Sequence, residues 1–192
     1  MAVYTLSEYP KQLEAADDSI IIIEPLRPEN RDALLDFFLR IPEDDRYYLK
    51  EDVTSPKVIG EWMDNMDYSR ALPLIAQEDG KIVADGTLHR RRAGARSHLA
   101  AIRIVVDPEY RNKGIGRALM RELISIAEDS GLEKVIFELV AEEQDDAKAA
   151  ASALGFVQLS VIPNHIKDVR GRLHDLVLME LPLGKWRQWW NY

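Results

Sequence analysis

Short apolar runs bounded by turn residues predict a series of strands along the chain. Most of them are rich in isoleucine, valine and leucine, which suit the pleated surface of a sheet. Two runs flank the turn Glu78-Asp79-Gly80, and an Asp-Gly pair tolerates the positive φ that a tight hairpin needs. The predicted strands span residues 20–26, 72–77, 81–89, 98–106, 134–141, 156–162 and 173–181.

Apolar residues at helical spacing predict helices inserted among these strands. Pro28 and Pro56 suit the first turn of a helix, whereas Gly131 and Gly155 suit helix ends. Because helices and strands interleave in an irregular order, we expect a mixed α/β fold. The predicted helices span residues 28–41, 55–66, 114–130 and 144–154.

The length and composition fit one folded domain. A chain of 192 residues can bury one core, and its 46% hydrophobic and 30% charged residues disfavour disorder. We predict that the polar residues 1–19 form an N-terminal extension. It wraps either the domain's own edge or a neighbouring subunit, and in the second case the protein would be a homodimer. We predict the domain at residues 20–182. The aromatic tail, residues 183–192, marks a contact surface or covers the domain's edge.

The charge balance and the missing cysteine exclude several classes of function. Lys and Arg number 25 against 33 Asp and Glu, so the net charge of −8 disfavours nucleic-acid binding, which needs a basic face. The absence of cysteine excludes disulfides, thiolate metal sites and a cysteine nucleophile. The isoleucines 20–23 are too short a run for a membrane span, and no leader pattern is visible, so we expect a cytoplasmic protein without a membrane partner.

Residues 105–116 predict a phosphate site. This segment places a strand end, a turn and two glycines directly before a long amphipathic helix. Gly114 and Gly116 lack Cβ atoms and let the backbone approach a phosphate, while the helix N-terminus favours an anion. The segment is neither a Walker loop, which ends in Gly-Lys-Ser/Thr, nor a Rossmann fingerprint, whose glycines are spaced differently.

The pattern Arg-x-x-Gly-x-Gly from Arg111 to Gly116 follows a strand that ends in Val-Val-Asp-Pro. It resembles the acetyl-CoA loop of the GNAT N-acetyltransferase superfamily. The order of elements around it, and the Leu154-Gly155-Phe156 that follows, extend the resemblance to about residues 20–182. The resemblance implies a central, mostly antiparallel mixed sheet with a splayed parallel pair and helices on both faces.

The resemblance also implies a co-substrate and a reaction. The co-substrate would be acetyl-CoA, no metal would be needed, and acetyl would pass directly to a primary amine in a ternary complex. Strand 134–141 would splay from the strand before the loop and leave a cleft for the thioester. A sensor or regulatory domain that binds an acyl-CoA without catalysis is the alternative. The implied coenzyme contacts are Ile104, Val105, Val106, Arg111, Asn112, Lys113, Gly114, Ile115, Gly116 and Arg117.

Amine acylation needs a proton acceptor, because a free alkyl amine has a pKa of about 10.4. Where much of the family has Glu and Tyr for proton transfer, this chain has Ala100 and Ala151. His98 is the first candidate base, since it lies two residues from Ala100 and hence on the same face of a strand. Glu138, a lone charge in an apolar strand, is the second. Their alternatives are a histidine that bonds a loop and a glutamate on a solvated face.

Two further polar groups have no assigned chemistry. The first group lies between residues 164 and 175, and its spacing matches no standard zinc site. We therefore predict turn residues and no metal there, with metal binding as the alternative. The second group consists of arginines between residues 90 and 96. It is either a solvated hairpin tip or a site for an anionic acceptor or the adenosine 3′-phosphate. The acceptor stays open among a polyamine, an amino acid, an aminoglycoside and a protein amine. The first group is Asn164, His165, Asp168, His174 and Asp175, and the second is Arg90, Arg91, Arg92 and Arg96.

Overall fold

A computed structural model describes residues 6–49, 51–141 and 143–185. These residues form one eight-stranded sheet in the order β1-β2-β3-β4-β5-β6-β8-β7. Every neighbouring pair is antiparallel except β5 and β6, which are parallel. The strands are β1 Lys11–Glu14, β2 Ile20–Pro25, β3 Ala71–Glu78, β4 Lys81–Arg90, β5 Leu99–Val106, β6 Lys134–Val140, β7 Val157–Lys167 and β8 Leu173–Pro182.

Helices cover both faces of the sheet. On one face Leu119 and Leu123 of the longest helix join a core cluster with Ala84 and Leu88. On the other face a second cluster includes Leu34, Phe37 and Ile59 together with Ile75 and Ile82 of the sheet. The mixed fold expected from the sequence is therefore confirmed. The helices are α1 Arg31–Arg40, α2 Glu43–Arg46, α3 Pro56–Asp64, α4 Ile115–Asp129 and α5 Asp145–Ala153, with short 3-10 turns at Pro28–Asn30 and Pro108–Tyr110.

Two short elements, β1 and α2, were not predicted from the sequence. Strand β1 lies inside the predicted extension, where it pairs with β2 and covers the edge of its own sheet. The side chains of Tyr9 and Lys11 donate hydrogen bonds to Glu122 of α4, at 2.9 and 2.7 Å. Residues 1–5 and the tail residues 186–192 lie outside the described residues, so the domain boundaries stay predictions.

The parallel strands β5 and β6 separate partway along their length. Their paired positions run from Leu99 and Lys134 to Ile102 and Phe137. Beyond that point β5 continues along β4 to Val106, whereas β6 continues along β8 to Val140. The two strands therefore enclose a slot. The slot is open at the C-terminal end of β5, where the chain continues towards α4.

Within the described part of the chain, no helix combines the length and the apolar character needed to cross a membrane. The cytoplasmic location expected from the sequence stays a prediction.

Gly86 allows α4 to approach the sheet closely. A Cβ atom at this position would lie 3.3 Å from Leu119 Cβ and 3.3 Å from Leu123 Cδ1. Gly86→Val is therefore expected to lower the free energy of unfolding by about 1–3 kcal/mol, the usual range for overpacking, in urea denaturation. Ala101→Val is the control, because Ala101 is only half-buried on the neighbouring strand. Equal losses for both variants would contradict the close approach.

Candidate active site

The slot between β5 and β6 is lined on one side by backbone groups of β5. The Asp107 N–H donates to the Val83 carbonyl at 2.9 Å, which fixes the hydrogen-bonding phase of the antiparallel pair. Alternate residues of such a pair bond to the partner strand, so Val105 bonds to β4 while the backbone groups of Ile104 and Val106 point towards the slot. These are donors and acceptors of the kind that an amide-containing chain can join as an added strand.

The loop between β5 and α4 presents an uncapped helix N-terminus. Asp107 is buried and its side chain accepts the Glu109 N–H at 3.1 Å, which holds the 3-10 turn in place. Gly114 precedes α4 with φ +86°, and no side chain caps the helix. A Cβ on Gly114 would meet no heavy atom within 4 Å. The N–H groups of the first turn of α4 thus have no side-chain cap, which fits an anionic group such as a diphosphate.

The basic side chains of this loop differ in their partners. Arg111 is exposed, pairs with Asp45 of α2 at 2.6 Å and donates to the Val106 carbonyl at 3.3 Å. Lys113 pairs with Asp17 at 2.7 Å, and the hydrogen bond to Asp17 raises the pKa of Lys113. Arg117 is exposed on the first turn of α4.

Two other loop residues differ in what they can offer a ligand. Ile115 is buried in the core, so only its backbone can face a ligand. Asn112 is exposed and takes a positive φ of 62°.

His98 lies far from the slot. It occupies the turn before β5, half-buried, and its carbonyl accepts the Glu133 N–H at 2.9 Å. Five residues separate it from Arg103, the first residue of β5 beside the slot, which corresponds to roughly 17 Å of strand. Ala100, whose face it was expected to share, is buried in the core cluster beside α4. The alternation of side chains along the strand is therefore a poor guide to the base, because α4 covers the face that His98 was expected to share with Ala100.

Glu138 lies at the closed end of the slot. It is the first residue of β6 after the last pair with β5, and it is exposed, not buried as its apolar strand suggested. Ala101 and Ile136 are opposite each other across the parallel pair, so Arg103 and Glu138 lie on the same face of the sheet by the period of two. This is the face that α1 and α3 partly cover, and we call it the acceptor face.

Sequence reasoning missed a third polar group on the acceptor face. Asp85 of β4 pairs with Val105 of β5, and its carboxylate accepts a hydrogen bond from the Thr87 hydroxyl at 3.3 Å. Asp85 is half-buried as a residue, yet its carboxyl lies deep enough that burial raises its pKa to about 7. An acidic residue after the apolar run Ile82-Val83-Ala84 was the available indication in the sequence.

The polar group of the final hairpin is a turn held together by Asp168. Its carboxylate accepts the backbone N–H groups of Arg170 and Arg172 and the Arg172 guanidinium, and it lies 3.2 Å from His174 Nε2. Burial opposes ionisation, but these hydrogen bonds outweigh it and lower the pKa of Asp168. Ligand atoms of Glu143, Asp168 and His174 lie within 4.8 Å of one another. The Asp168 oxygens already have these hydrogen-bond partners, which fits the predicted turn residues, and the absence of a metal here stays a prediction.

The basic turn before β5 lies away from the phosphate loop. Residues 91–98 precede β5 and the loop follows it, so the length of the strand, roughly 26 Å, separates them. Arg92 pairs with Asp67 at 3.3 Å. This placement argues against a role for the turn in holding the coenzyme phosphates.

Comparison with known proteins agrees with this geometry. The chain is 35% identical over 81 residues to the [ribosomal protein bS18]-alanine N-acetyltransferase of Escherichia coli, which is 42% of this chain and 53% of that protein. The chain thus spans about half the length of this curated relative. It is 27% identical over 153 residues to an acetyltransferase of Pseudomonas aeruginosa, with coverage of 76% and 80%.

Solved structures share the fold at low sequence identity. The phosphinothricin acetyltransferase of Sinorhizobium meliloti, a GNAT superfamily protein in complex with AcCoA, superposes with a TM-score of 0.73 at 19% identity over 90% of each chain. The GNAT domain of the Streptomyces lividans protein PAT gives a TM-score of 0.73 at 18% identity over 92% of this chain and all of that one. The profile of the Acetyltransferase (GNAT) family matches residues 31–156, well over half of the chain. The chain therefore belongs to the GNAT acetyltransferase family.

Proposed function

We propose that the protein transfers an acetyl group from acetyl-CoA to a primary amine by direct attack in a ternary complex. The observation that carries this proposal is that the uncapped N-terminus of α4 follows the end of β5 beyond its last pair with β6, where the slot opens. The coenzyme supplies an acetyl group activated as a thioester. In this arrangement the α4 N-terminus binds the diphosphate, and Ile104 and Val106 bind the pantetheine amides.

The relatives support the reaction class and leave the acceptor open. One relative is named for acetylating an alanine of ribosomal protein bS18, and a structural neighbour holds AcCoA. A small-molecule amine and a protein amine are both compatible with the exposed acceptor face.

Glu138 is the group that we propose as proton acceptor, in preference to His98. The ammonium of the acceptor gives one proton to the Glu138 carboxylate, and the neutral nitrogen attacks the thioester carbonyl carbon. The C–S bond breaks, its electron pair leaves with sulfur, and the second nitrogen proton passes to the thiolate. The products are an amide and CoA thiol, and Glu138 returns its proton to water. A thiol of pKa about 8.5 is a tolerable leaving group, so no dedicated acid is required. We assign stabilisation of the developing oxyanion to a backbone N–H of β5 that faces the slot.

Two measurements test this function. Acetyl-CoA and CoA are expected to raise the melting temperature, because a ligand that binds only the native state stabilises it by mass action. With at least one member of a panel of amines, free thiol should then appear faster than acetyl-CoA hydrolyses by itself. No thermal shift at millimolar ligand would contradict the coenzyme assignment. A shift without turnover on a broad panel would favour the non-catalytic sensor.

A further inference from the structure

Asp85 is a buried acid that the proposed reaction does not use. Its neighbours across the sheet are apolar, Ile75 on β3 and Val105 on β5. Both belong to, or pack against, the core cluster beneath α1 and α3. Burial raises the pKa of Asp85 to about 7, and the Thr87 hydroxyl lowers it only in part. Over residues 6–49, 51–141 and 143–185, no cationic side chain contributes to this balance.

Two other acids near the slot, Asp45 and Asp107, already have cationic partners. Asp45 pairs with Arg111 at 2.6 Å, and Asp107 pairs with Arg40 at 3.0 Å. Arg40 also donates to the Ile82 carbonyl and is thus held at the edge of β4. A desolvated carboxylate without a cation is unfavourable for the folded protein, and a ligand cation would relieve that cost. Asp85, in contrast, has no cationic partner among the residues that the structure describes.

Asp85 lies on the acceptor face and is partly exposed as a residue, although its carboxyl group is itself buried. Asp85, Thr87, Arg103 and Val105 are all half-buried, so this part of the face is not sealed by α1. Asp85 of β4 is level with Val105 of β5, whereas Glu138 of β6 follows the residue paired with Ile102. The two acids are therefore two strands and about two residues apart, which corresponds to roughly 12 Å. One ammonium cannot contact both carboxylates at about 2.8 Å. Two ammonium groups joined by a short alkyl chain can each contact one of the two carboxylates.

We propose that Asp85 binds a second cationic group of the acceptor, so that the amine substrate carries two positive charges a short chain apart. This rests on the proposed function, since Glu138 receives the reacting ammonium while Asp85 holds the distal one. Asp85 is a specificity-determining residue in this scheme and takes no part in proton transfer. The chemical class is a short diamine or a basic residue that presents two ammonium groups.

The experiment compares cadaverine with pentylamine, which has the same chain and one ammonium. Binding of each to the CoA-saturated protein is measured by calorimetry at pH 8. We expect cadaverine to bind roughly tenfold tighter or more, because a charge-assisted hydrogen bond to a desolvated carboxylate is a strong contact. Asp85→Asn keeps the shape and removes the charge, so the preference should fall to within about twofold. The thermal shift with CoA should persist in Asp85→Asn and shows that the variant is folded.

The pH dependence gives a second readout that needs no variant. The groups beside Asp85 on the sheet are Thr87 on β4, Ile75 on β3, and Val105 and Arg103 on β5. The nearest cation of α1 for which contacts to β4 are found is Arg40, which is paired with Asp107. Because the pKa of Asp85 is about 7 in the free protein, the preference for cadaverine should decline as the pH falls from 8 to 6. Thr87→Val removes the hydrogen bond that lowers this pKa, so the decline should begin at higher pH.

Several outcomes would overturn the proposal. Equal affinity for the two amines in the unaltered protein, or a preference that survives in Asp85→Asn, would show that Asp85 is only a protonated structural group. A preference that does not change with pH would show the same. If both amines bind as expected but no amine releases thiol, the proposed catalytic function fails while the cation site stands.

Discussion

Gly114→Asp is expected to abolish the rise in melting temperature that CoA produces. In the unaltered protein, CoA at 100 times its dissociation constant should add about 2.7 kcal/mol, which corresponds to a shift of roughly 5–10 °C for a domain of this size. The aspartate places a negative charge and a Cβ where the α4 N-terminus faces the diphosphate. Differential scanning fluorimetry with and without CoA measures the effect.

The same change should leave the fold intact. A Cβ at this position meets nothing within 4 Å, so the cost is limited to the positive φ of +86°, on the order of 1–2 kcal/mol. Gly131→Asp is the matched control, because Gly131 follows the other end of α4, has φ +71° and also has open space around its Cβ position. About 22 Å of helix separates the two sites. Gly131→Asp should keep the CoA shift, and a Gly114→Asp variant that also keeps it would mean that the diphosphate binds elsewhere.

The helices and strands that the sequence predicted are those in which buried apolar side chains recur at the spacing of a helix or a strand. Helix α4 has an apolar face from Ile115 to Ala127 that packs on β3, β4 and β5, and its limits differ from the prediction by one residue at each end. Strand β1 was missed because it is four residues long, half of them exposed, and is stabilised by pairing with β2 and by contacts to α4. Strand β7 continues past Ile162 to Lys167 because a register shift there accommodates Pro163.

The sequence indicated the parts of the candidate site that depend on local backbone conformation. It did not indicate the parts that depend on which face of a strand a helix covers. The glycine pattern indicated a helix that begins at an open N-terminus, and α4 begins after Gly114 without a side-chain cap. Along β5, alternation separates two faces, but the sequence does not tell which one a helix covers. His98 was assigned from the face of Ala100, which α4 closes, whereas Arg103 and Val105 point to the acceptor face. Asp85 was missed for a related reason, since its burial depends on Ile75 and Val105 of neighbouring strands.

Glu138→Gln is expected to lower kcat/KM for amine acetylation by roughly 100-fold or more near neutral pH. This is the usual contribution of a general base, and glutamine keeps the size of the side chain without accepting the proton. His98→Ala is the comparison, and its kcat/KM should stay within about threefold of the unaltered enzyme, because His98 lies roughly 17 Å of strand away from the slot. Steady-state rates of thiol release with an acceptor identified from the amine panel measure both.

The pH dependence separates proton transfer from a packing effect. At neutral pH the acceptor amine is protonated, so a missing base is costly, whereas near the amine's own pKa of about 10.4 much of the acceptor is neutral before it binds. The deficit of Glu138→Gln should therefore shrink as the pH rises. The thermal shift with CoA should be unchanged, since Glu138 lies at the closed end of the slot and away from the phosphate loop. A deficit of equal size at every pH would assign Glu138 to positioning, and a large loss in His98→Ala with a fully active Glu138→Gln would reverse the two assignments.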